Sequence, residues 1–133
     1  MSQENVEMVR LSFDAVSRRD KAAFLDISDP EVETVPFRDF PESAPTRGVE
    51  AVWDLFVELT GAWHEGALKP VEVIDAAGGK VVAHACGEML GEASGMTVAA
   101  NVWSVTTLDN GKMLRIDWFA DRTEALKAAG LEE

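Results

Sequence analysis

The sequence has no tyrosine, one cysteine and two histidines. The single cysteine, Cys86, excludes an internal disulfide bond. Neither His64 nor His84 stands at a spacing from cysteine or acidic residues that is typical of a metal site. Gly78-Gly79 predicts a hairpin turn and not the glycine-rich loop that opens a helix at a phosphate-binding site. We therefore expect no cofactor and no metal ion.

Basic residues are few. The chain has 12 lysines and arginines against 24 aspartates and glutamates, which gives a formal net charge of -12. A nucleic-acid-binding protein needs a cationic surface to displace phosphate counterions, so this charge excludes nucleic acids as partners. Anionic membranes are disfavoured for the same reason. The acidity is typical of a surface that keeps a protein soluble.

Long apolar runs are also missing, and no segment is apolar enough over a sufficient length to cross a bilayer. The N-terminal segment MSQENVEMVR lacks the cationic start and apolar region of a signal peptide. Together with the single cysteine, this predicts a cytoplasmic location. The 133 residues, of which 47% are hydrophobic, predict one domain over residues 1–133 with a sizeable core.

The periodicity of the apolar residues predicts helix, helix, strand, helix, four strands and a last short helix. The first three predicted helices cover residues 2–18, 21–27 and 49–63, and the predicted strands cover residues 31–37, 68–76, 80–90, 96–108 and 112–120. Helices lead and hairpins follow, which predicts an α+β fold: a curved sheet covered on one face by helices.

The most informative stretch is residues 109–131. Its first residues, DNG, predict a tight turn because Asn and Gly tolerate the positive φ of a two-residue hairpin. An alternating strand follows. Asp121 is then typical of a helix N-cap, with Glu124 three residues later as its reciprocal partner.

Several short motifs, taken in order, resemble one family. Its entry to the first strand is matched by DPEVE at residues 29–33, and the start of its long helix by RGVEAV at residues 47–52. Its hairpin is matched by NVW and DNGK within residues 101–112, and its tail by DRTEALKAAGL at residues 121–131. The chain thus resembles the SnoaL-like branch of the nuclear transport factor two superfamily, which includes polyketide cyclases, ketosteroid isomerases and limonene epoxide hydrolases.

The resemblance implies a cone-shaped domain of cystatin-like topology, in which a curved mixed or antiparallel sheet wraps around the N-terminal helices. It also implies a pocket between the concave face of the sheet and the helices. Members of the family are usually homodimers, and we expect the convex face of the sheet to form that contact.

The residues that ketosteroid isomerases use are not present. Laid along that family without gaps, the chain has Ser12 at the catalytic tyrosine, Val35 near the general-base aspartate and Trp103 at the protonated aspartate. Ketosteroid isomerase chemistry is therefore not expected, since it needs an oxyanion donor and a base. Trp118 stands where limonene epoxide hydrolases carry a catalytic aspartate, and Asp117 is one residue out of phase, which turns it to the other face. A bulge in this strand would undo that and bring Asp117 to the pocket.

Polar and apolar residues alternate along residues 80–90, and on the predicted register the even-numbered side faces the pocket. His84 and Glu88 are on this side and are the candidate catalytic pair. Histidine is suited to general-base work at neutral pH, and a carboxyl group kept neutral by burial can act as an acid. Asp39, in the loop after the first strand, is a further carboxylate that could reach the mouth of the pocket.

The other candidate side chains are expected to contact a small apolar ligand. They are Glu33, Val35, Trp53, Asn101, Trp103 and Trp118. Each candidate also has a structural interpretation, since tryptophans are first of all core residues and a strand histidine is often a hydrogen-bonded core or interface residue.

Three functions stay open at this point. The first is an isomerase, cyclase or hydratase that acts on an apolar ring compound by acid/base catalysis with His84 and Glu88. The second is a non-catalytic ligand-binding module, which the lack of tyrosine favours. The third is a dimeric interaction protein, suggested by small residues expected on the convex face: Ala83, Ala85, Val98, Ala100, Val102 and Ser104.

Overall fold

The computed structural model describes residues 2–36, 44–61, 68–76, 78–90 and 97–131. The helices are α1 (Ser2–Arg18), α2 (Lys21–Asp26), α3 (Val49–Thr60) and α4 (Arg122–Ala128). The strands are β1 (Ser28–Val35), β2 (Thr46–Arg47), β3 (Lys69–Asp75), β4 (Lys80–Leu90), β5 (Thr97–Asp109) and β6 (Lys112–Phe119). They form one mixed sheet in the order β2-β1-β6-β5-β4-β3, in which β1 and β6 are parallel and the other neighbouring strands antiparallel.

The predicted α+β class and the order of the long elements are confirmed. The sheet has one strand that the sequence did not predict, β2, whose two residues pair with β1. The first strand begins at Ser28, three residues earlier than predicted, and α3 ends at Thr60. Trp63, the predicted end of that helix, lies outside the described residues. In the described ranges, no helix has the length and apolarity that a membrane crossing requires.

Local chemistry explains where the C-terminal elements begin and end. Asn110 and Gly111 have φ angles of 52° and 73°, so the predicted turn between β5 and β6 forms. Asp121 caps α4, because its carboxylate accepts a 2.6 Å hydrogen bond from the backbone N–H of Thr123.

The two faces of the sheet bury different partners. The face toward α1, α2 and α3, here called the inner face, holds the larger core, with Val9, Phe24, Val52, Val81, Ala83, Met113 and Ile116 among its buried members. The opposite, outer face packs against α4 in a smaller core of Val82, Val105, Ala125, Leu126 and Ala129.

A β-bulge at the start of β6 sets which side chains face inward. Thr107 pairs with Arg115, whereas the next residue of β5, Leu108, pairs with Met113. Leu114 is therefore an extra residue on β6 without a partner on β5. Because side chains alternate along a strand, one inserted residue exchanges the faces of every residue beyond it relative to the neighbouring strand.

The bulge decides how the two tryptophans of this hairpin are placed. Without it, Trp103 would lie opposite Trp118 and both would point to the same face. With it, Trp103 lies opposite Phe119, and Ser104 lies opposite Trp118. Trp118 is on the inner face, so Ser104 is on the inner face and Trp103 on the outer face.

The predicted faces of β4 and β5 are therefore wrong. Val81, Ala83 and Ala85 are fully buried on the inner side of β4, while Val82 packs against α4 on the outer side. The small residues expected on the convex surface are instead inner-face residues wherever their side chains are described. The side chain of Val98 lies outside the described part of the structure.

Candidate functional site

A cavity of about 730 Å³ lies between the inner face of the sheet and helices α1 and α3. Aromatic rings form much of its wall: Phe13, Phe24, Phe56 and Trp118. The sheet contributes Thr34, Ala100, Val102, Ser104, Thr106 and Ile116. A volume of this size with an apolar lining and few polar groups is typical of sites that bind small molecules.

Trp118 is held rigidly in the wall. Its indole Nε1 donates a hydrogen bond of 2.9 Å to the hydroxyl of Thr34. The rings of Phe13 and Phe56 meet the indole nearly at right angles, with centroid distances of 6.3 and 5.9 Å. Edge-to-face packing of this kind is favourable for aromatic rings. The indole N–H is therefore already paired within the protein.

Other hydroxyl groups of the wall are paired in the same way. Thr34 donates its own hydroxyl proton to the carbonyl oxygen of Ile116 at 3.0 Å. Ser12 donates to the carbonyl oxygen of Val9 at 2.6 Å, and Thr60 to that of Phe56 at 2.7 Å. In these three residues the hydroxyl proton is bound to the backbone.

Ser104 is different. It borders the cavity and is 1% exposed, yet its hydroxyl oxygen has no hydrogen-bond partner among the described residues. A buried hydroxyl without a partner costs about 1–3 kcal/mol of stability. Because Ser104 lies directly opposite Trp118 in the β5–β6 ladder, this unpaired group sits beside the main aromatic wall.

The part of the lining that the structure describes contains no ionisable side chain. Its polar side-chain groups on the inner face are hydroxyls and the indole of Trp118. The carboxamide of Asn101 is exposed and bonded to His84 on the outer face. Nor do the described residues bring together three or more histidine, cysteine or acidic side chains in a way that could hold a metal ion. This wall can enclose an apolar molecule and offer it a neutral hydrogen bond.

Two of the predicted ligand-binding residues border the cavity, and a third does not. Trp118 and Asn101 are in its lining, but the carboxamide of Asn101 is exposed and bonded to His84, away from the cavity. Trp53 is 7% exposed and belongs to the core, where the centroid of its ring lies 5.3 Å from the ring centroid of Phe24. The predicted contact of Trp53 with a ligand finds no support in this position.

His84 and Trp103 are together on the outer face. Their rings are stacked, with centroids 4.6 Å apart and an angle of 9° between the planes. The imidazole Nε2 of His84 donates to the side-chain oxygen of Asn101 at 2.8 Å. The expectation that His84 and Trp103 face the cavity is wrong, because the bulge at Leu114 turns this side of β4 and β5 outward.

Glu33 and Val35 are also on the outer face. They flank Thr34 on β1, and Thr34 is the residue of the three that points inward. Glu33 lies 3.5 Å from the guanidinium group of Arg115, which contacts Asp117 at 3.0 Å. Hydrogen bonding to Asp117 raises the pKa of Arg115 above its usual value, which keeps this ion pair charged. The predicted outward orientation of Asp117 agrees with this placement.

Two predicted carboxylates, Glu88 and Asp39, have side chains outside the described part of the structure. Glu88 pairs with Ala99 in the β4–β5 ladder, but its side chain lies outside the described part of the structure. Asp39 lies outside the described residues altogether. Their predicted roles stay predictions.

The inner position of Ser104 was missed, because hydrophobicity does not distinguish the two faces of β4 and β5. The capped helix α4 has its own apolar residues, Ala125 and Leu126, which need a partner on the sheet. That partner is the outer side of β4 and β5, including Val105. Both faces of these strands are therefore covered, and the apolar side could not be assigned to the cavity by hydrophobicity alone.

Solved structures share this architecture. A protein named as a SnoaL-like polyketide cyclase, from Jannaschia sp. CCS1, is 19% identical, with a TM-score of 0.73 over 99% of this chain and 95% of its own. Bal32a, from a soil-derived mobile gene cassette, is 18% identical, with a TM-score of 0.75 over 96% of each chain. TerC, crystallised with polyporic acid, is 20% identical, with a TM-score of 0.71 over 96% of this chain and 98% of its own. At these identities the likeness shows the fold.

Sequence comparison gives the family. No curated protein matches the chain at a significant level. The SnoaL-like domain, however, matches residues 9–116, which include β1, α3, the bulge at Leu114 and most of the cavity wall. By this match and by its fold, the chain belongs to the SnoaL-like domain family.

Proposed function

We propose that this protein binds a small, neutral, largely apolar molecule, such as a fused-ring compound, in the cavity between α1, α3 and the inner face of the sheet. The observation that carries the proposal is the cavity itself: about 730 Å³ lined mainly by aromatic and aliphatic side chains, with Trp118 fixed in its wall. Burial of apolar ligand surface in such a space supplies the affinity.

Binding is favoured over acid/base catalysis by the chemistry of the lining. A general acid or base must lie within hydrogen-bond reach of the reacting group. The described lining offers no ionisable side chain, and His84 is on the far side of the sheet. The crystallisation of TerC with polyporic acid supports a ligand-binding role for this fold. The Jannaschia protein is named a polyketide cyclase, but a shared fold does not assign that reaction to this chain.

Equilibrium dialysis with phenanthrene, a neutral three-ring probe, tests the proposal. We expect saturable binding of one molecule per chain to the wild-type protein. Ala100 is half-buried in the cavity wall, so Ala100→Trp should fill part of the cavity and weaken binding by at least about tenfold. Ala51→Trp is the matched control, because Ala51 is exposed on α3 and is not part of the lining.

Each outcome of this experiment either supports or contradicts the proposal. Binding that is weakened by Ala100→Trp and unchanged by Ala51→Trp supports the cavity as the site. Equal binding to all three proteins places the probe elsewhere and contradicts the proposal. Absence of saturable binding to the wild-type protein contradicts it as well.

The homodimer and the cytoplasmic location stay predictions of the sequence. The surface first expected to form the dimer is on the inner face, so a contact through the outer face would have to use half-buried side chains such as Trp103, Phe119 and Val35. Light scattering during size-exclusion chromatography measures the mass directly. A dimer whose mass falls to that of one chain in Phe119→Glu would support this contact, and a wild-type monomer at micromolar concentration would exclude it.

A further inference from the structure

We infer that the hydroxyl of Ser104 selects the ligand, and that the ligand is a neutral ring compound carrying one hydroxyl or carbonyl oxygen that bonds to this group. The inference rests on the proposed function, since it names the class of molecule that the same cavity takes. Ser104 borders the cavity, is 1% exposed and has a hydroxyl without a partner.

An unpaired buried hydroxyl is unusual, because buried polar groups in folded proteins are nearly always hydrogen-bonded. The hydroxyl protons of Ser12, Thr34 and Thr60, in the same wall, are all donated to backbone carbonyls. Ser104 differs from these three residues because its hydroxyl has no hydrogen-bond partner among the described residues. A partner supplied by a ligand explains why this hydroxyl has no bond within the described part of the protein.

The position of Ser104 fits a ring compound. It lies opposite Trp118 in the β5–β6 ladder, so a ring packed against Trp118 lies next to this residue. Trp118 cannot provide the polar contact, because its N–H is already donated to Thr34. The side chain of serine has three staggered positions about χ1, so a change of rotamer, made when the ligand binds, can redirect the hydroxyl toward the cavity.

The hydrogen-bonding chemistry of the Ser104 hydroxyl restricts the class of ligand further. A serine hydroxyl can donate one hydrogen bond and accept two, so it pairs with a carbonyl oxygen or with an alcohol or phenol. A carboxylate or an ammonium group would be buried without a counter-charge in the described lining, which strongly disfavours it.

Three probes of one ring system test the inference: phenanthrene, 9-phenanthrol and phenanthrene-9-carboxylate, each measured by equilibrium dialysis. In the wild-type protein we expect 9-phenanthrol to bind roughly tenfold more tightly than phenanthrene, as one well-made hydrogen bond allows. We expect the carboxylate to bind more weakly than phenanthrene. In Ser104→Ala the advantage of 9-phenanthrol over phenanthrene should disappear.

Ser28→Ala is the control. Ser28 is also a buried strand serine, but its hydroxyl donates to the carbonyl oxygen of Phe24 at 2.8 Å and does not border the cavity. This variant should keep the preference for 9-phenanthrol. A general loosening of the protein would instead change the affinity for both neutral probes in both variants.

The results distinguish the inference from the function on which it rests. If phenanthrene binds in the cavity but 9-phenanthrol has no advantage, or keeps its advantage in Ser104→Ala, the inference is overturned and the proposed function stands. If the carboxylate binds as tightly as 9-phenanthrol, the neutral class is overturned. If none of the probes binds, the proposed function fails and the inference fails with it.

Discussion

The indole N–H of Trp118 donates a 2.9 Å hydrogen bond to the hydroxyl of Thr34, which lies 84 residues earlier in the chain. The hydroxyl of Thr34 in turn donates a hydrogen bond to the carbonyl oxygen of Ile116, on the strand that carries Trp118. The two strands are parallel neighbours, so the pair joins distant parts of the sequence and fixes the aromatic wall of the cavity at the same time.

Removing this hydroxyl should destabilise the protein. Thr34 is 2% exposed, and Thr34→Val keeps its shape while leaving the N–H of Trp118 without a partner. We expect the free energy of unfolding to fall by about 1–3 kcal/mol, measured by urea denaturation. Thr34→Ser, which keeps the hydroxyl, should retain the hydrogen bond and lose less. Equal stability of Thr34→Val and the wild-type protein would mean that this bond contributes nothing.

Ser104→Ala should have the opposite effect and raise the free energy of unfolding. The variant removes a buried hydroxyl that has no partner, so the unliganded protein is expected to gain about 1 kcal/mol in free energy of unfolding. Ser28→Ala removes a paired hydroxyl and should lose about 1 kcal/mol. A loss of stability in Ser104→Ala as large as that in Ser28→Ala would show that the hydroxyl of Ser104 is paired in solution.

The elements of this fold could be predicted from the sequence because their signals are local. The turn at Asn110-Gly111 and the cap at Asp121 each depend on a few neighbouring residues, and both form. The inner position of Trp118 was also predicted. The prediction failed for the faces of β4 and β5, because the extra residue Leu114, which no propensity marks as a bulge, shifts the pairing of β5 with β6.

That single residue accounts for the misplaced site. With regular pairing from the turn onward, Trp103 would face Trp118 across the ladder, and His84, the partner of Trp103, would follow it into the cavity. With the bulge, Ser104 and Ala83 take those positions. Along β1 the order Val32, Glu33, Thr34, Val35 does not alternate in polarity, so hydrophobicity does not define the inner side there either.

Replacement of His84 should leave ligand binding unchanged. Its ring stacks on Trp103 on the outer face, away from the cavity. For His84→Ala we expect an affinity for phenanthrene within about twofold of the wild-type value and a stability loss of about 0.5–1.5 kcal/mol from the lost ring contact. His84→Phe keeps a stacked ring and should recover much of that stability. A large loss of affinity in both variants would contradict the outward placement of His84.

Affinity for phenanthrene should not depend on pH between about pH 5.5 and about pH 8.5, as long as the protein is folded. The probe is neutral, and the described part of the lining has no group that titrates. The measurement is equilibrium dialysis across this range, with circular dichroism to check folding. A sigmoidal change in affinity would point to an ionisable residue at the cavity, and His64 and Asp39, both outside the described residues, would be the first to replace.

A crystal structure of the protein with 9-phenanthrol tests the central claim most directly. We predict the ring system against Trp118 and Val102 on the inner face, with its oxygen within about 3.2 Å of the hydroxyl oxygen of Ser104. Density for the ligand on the outer face, against His84 and Trp103, would contradict the cavity as the binding site. So would a cavity without ligand at probe concentrations that saturate the protein in dialysis.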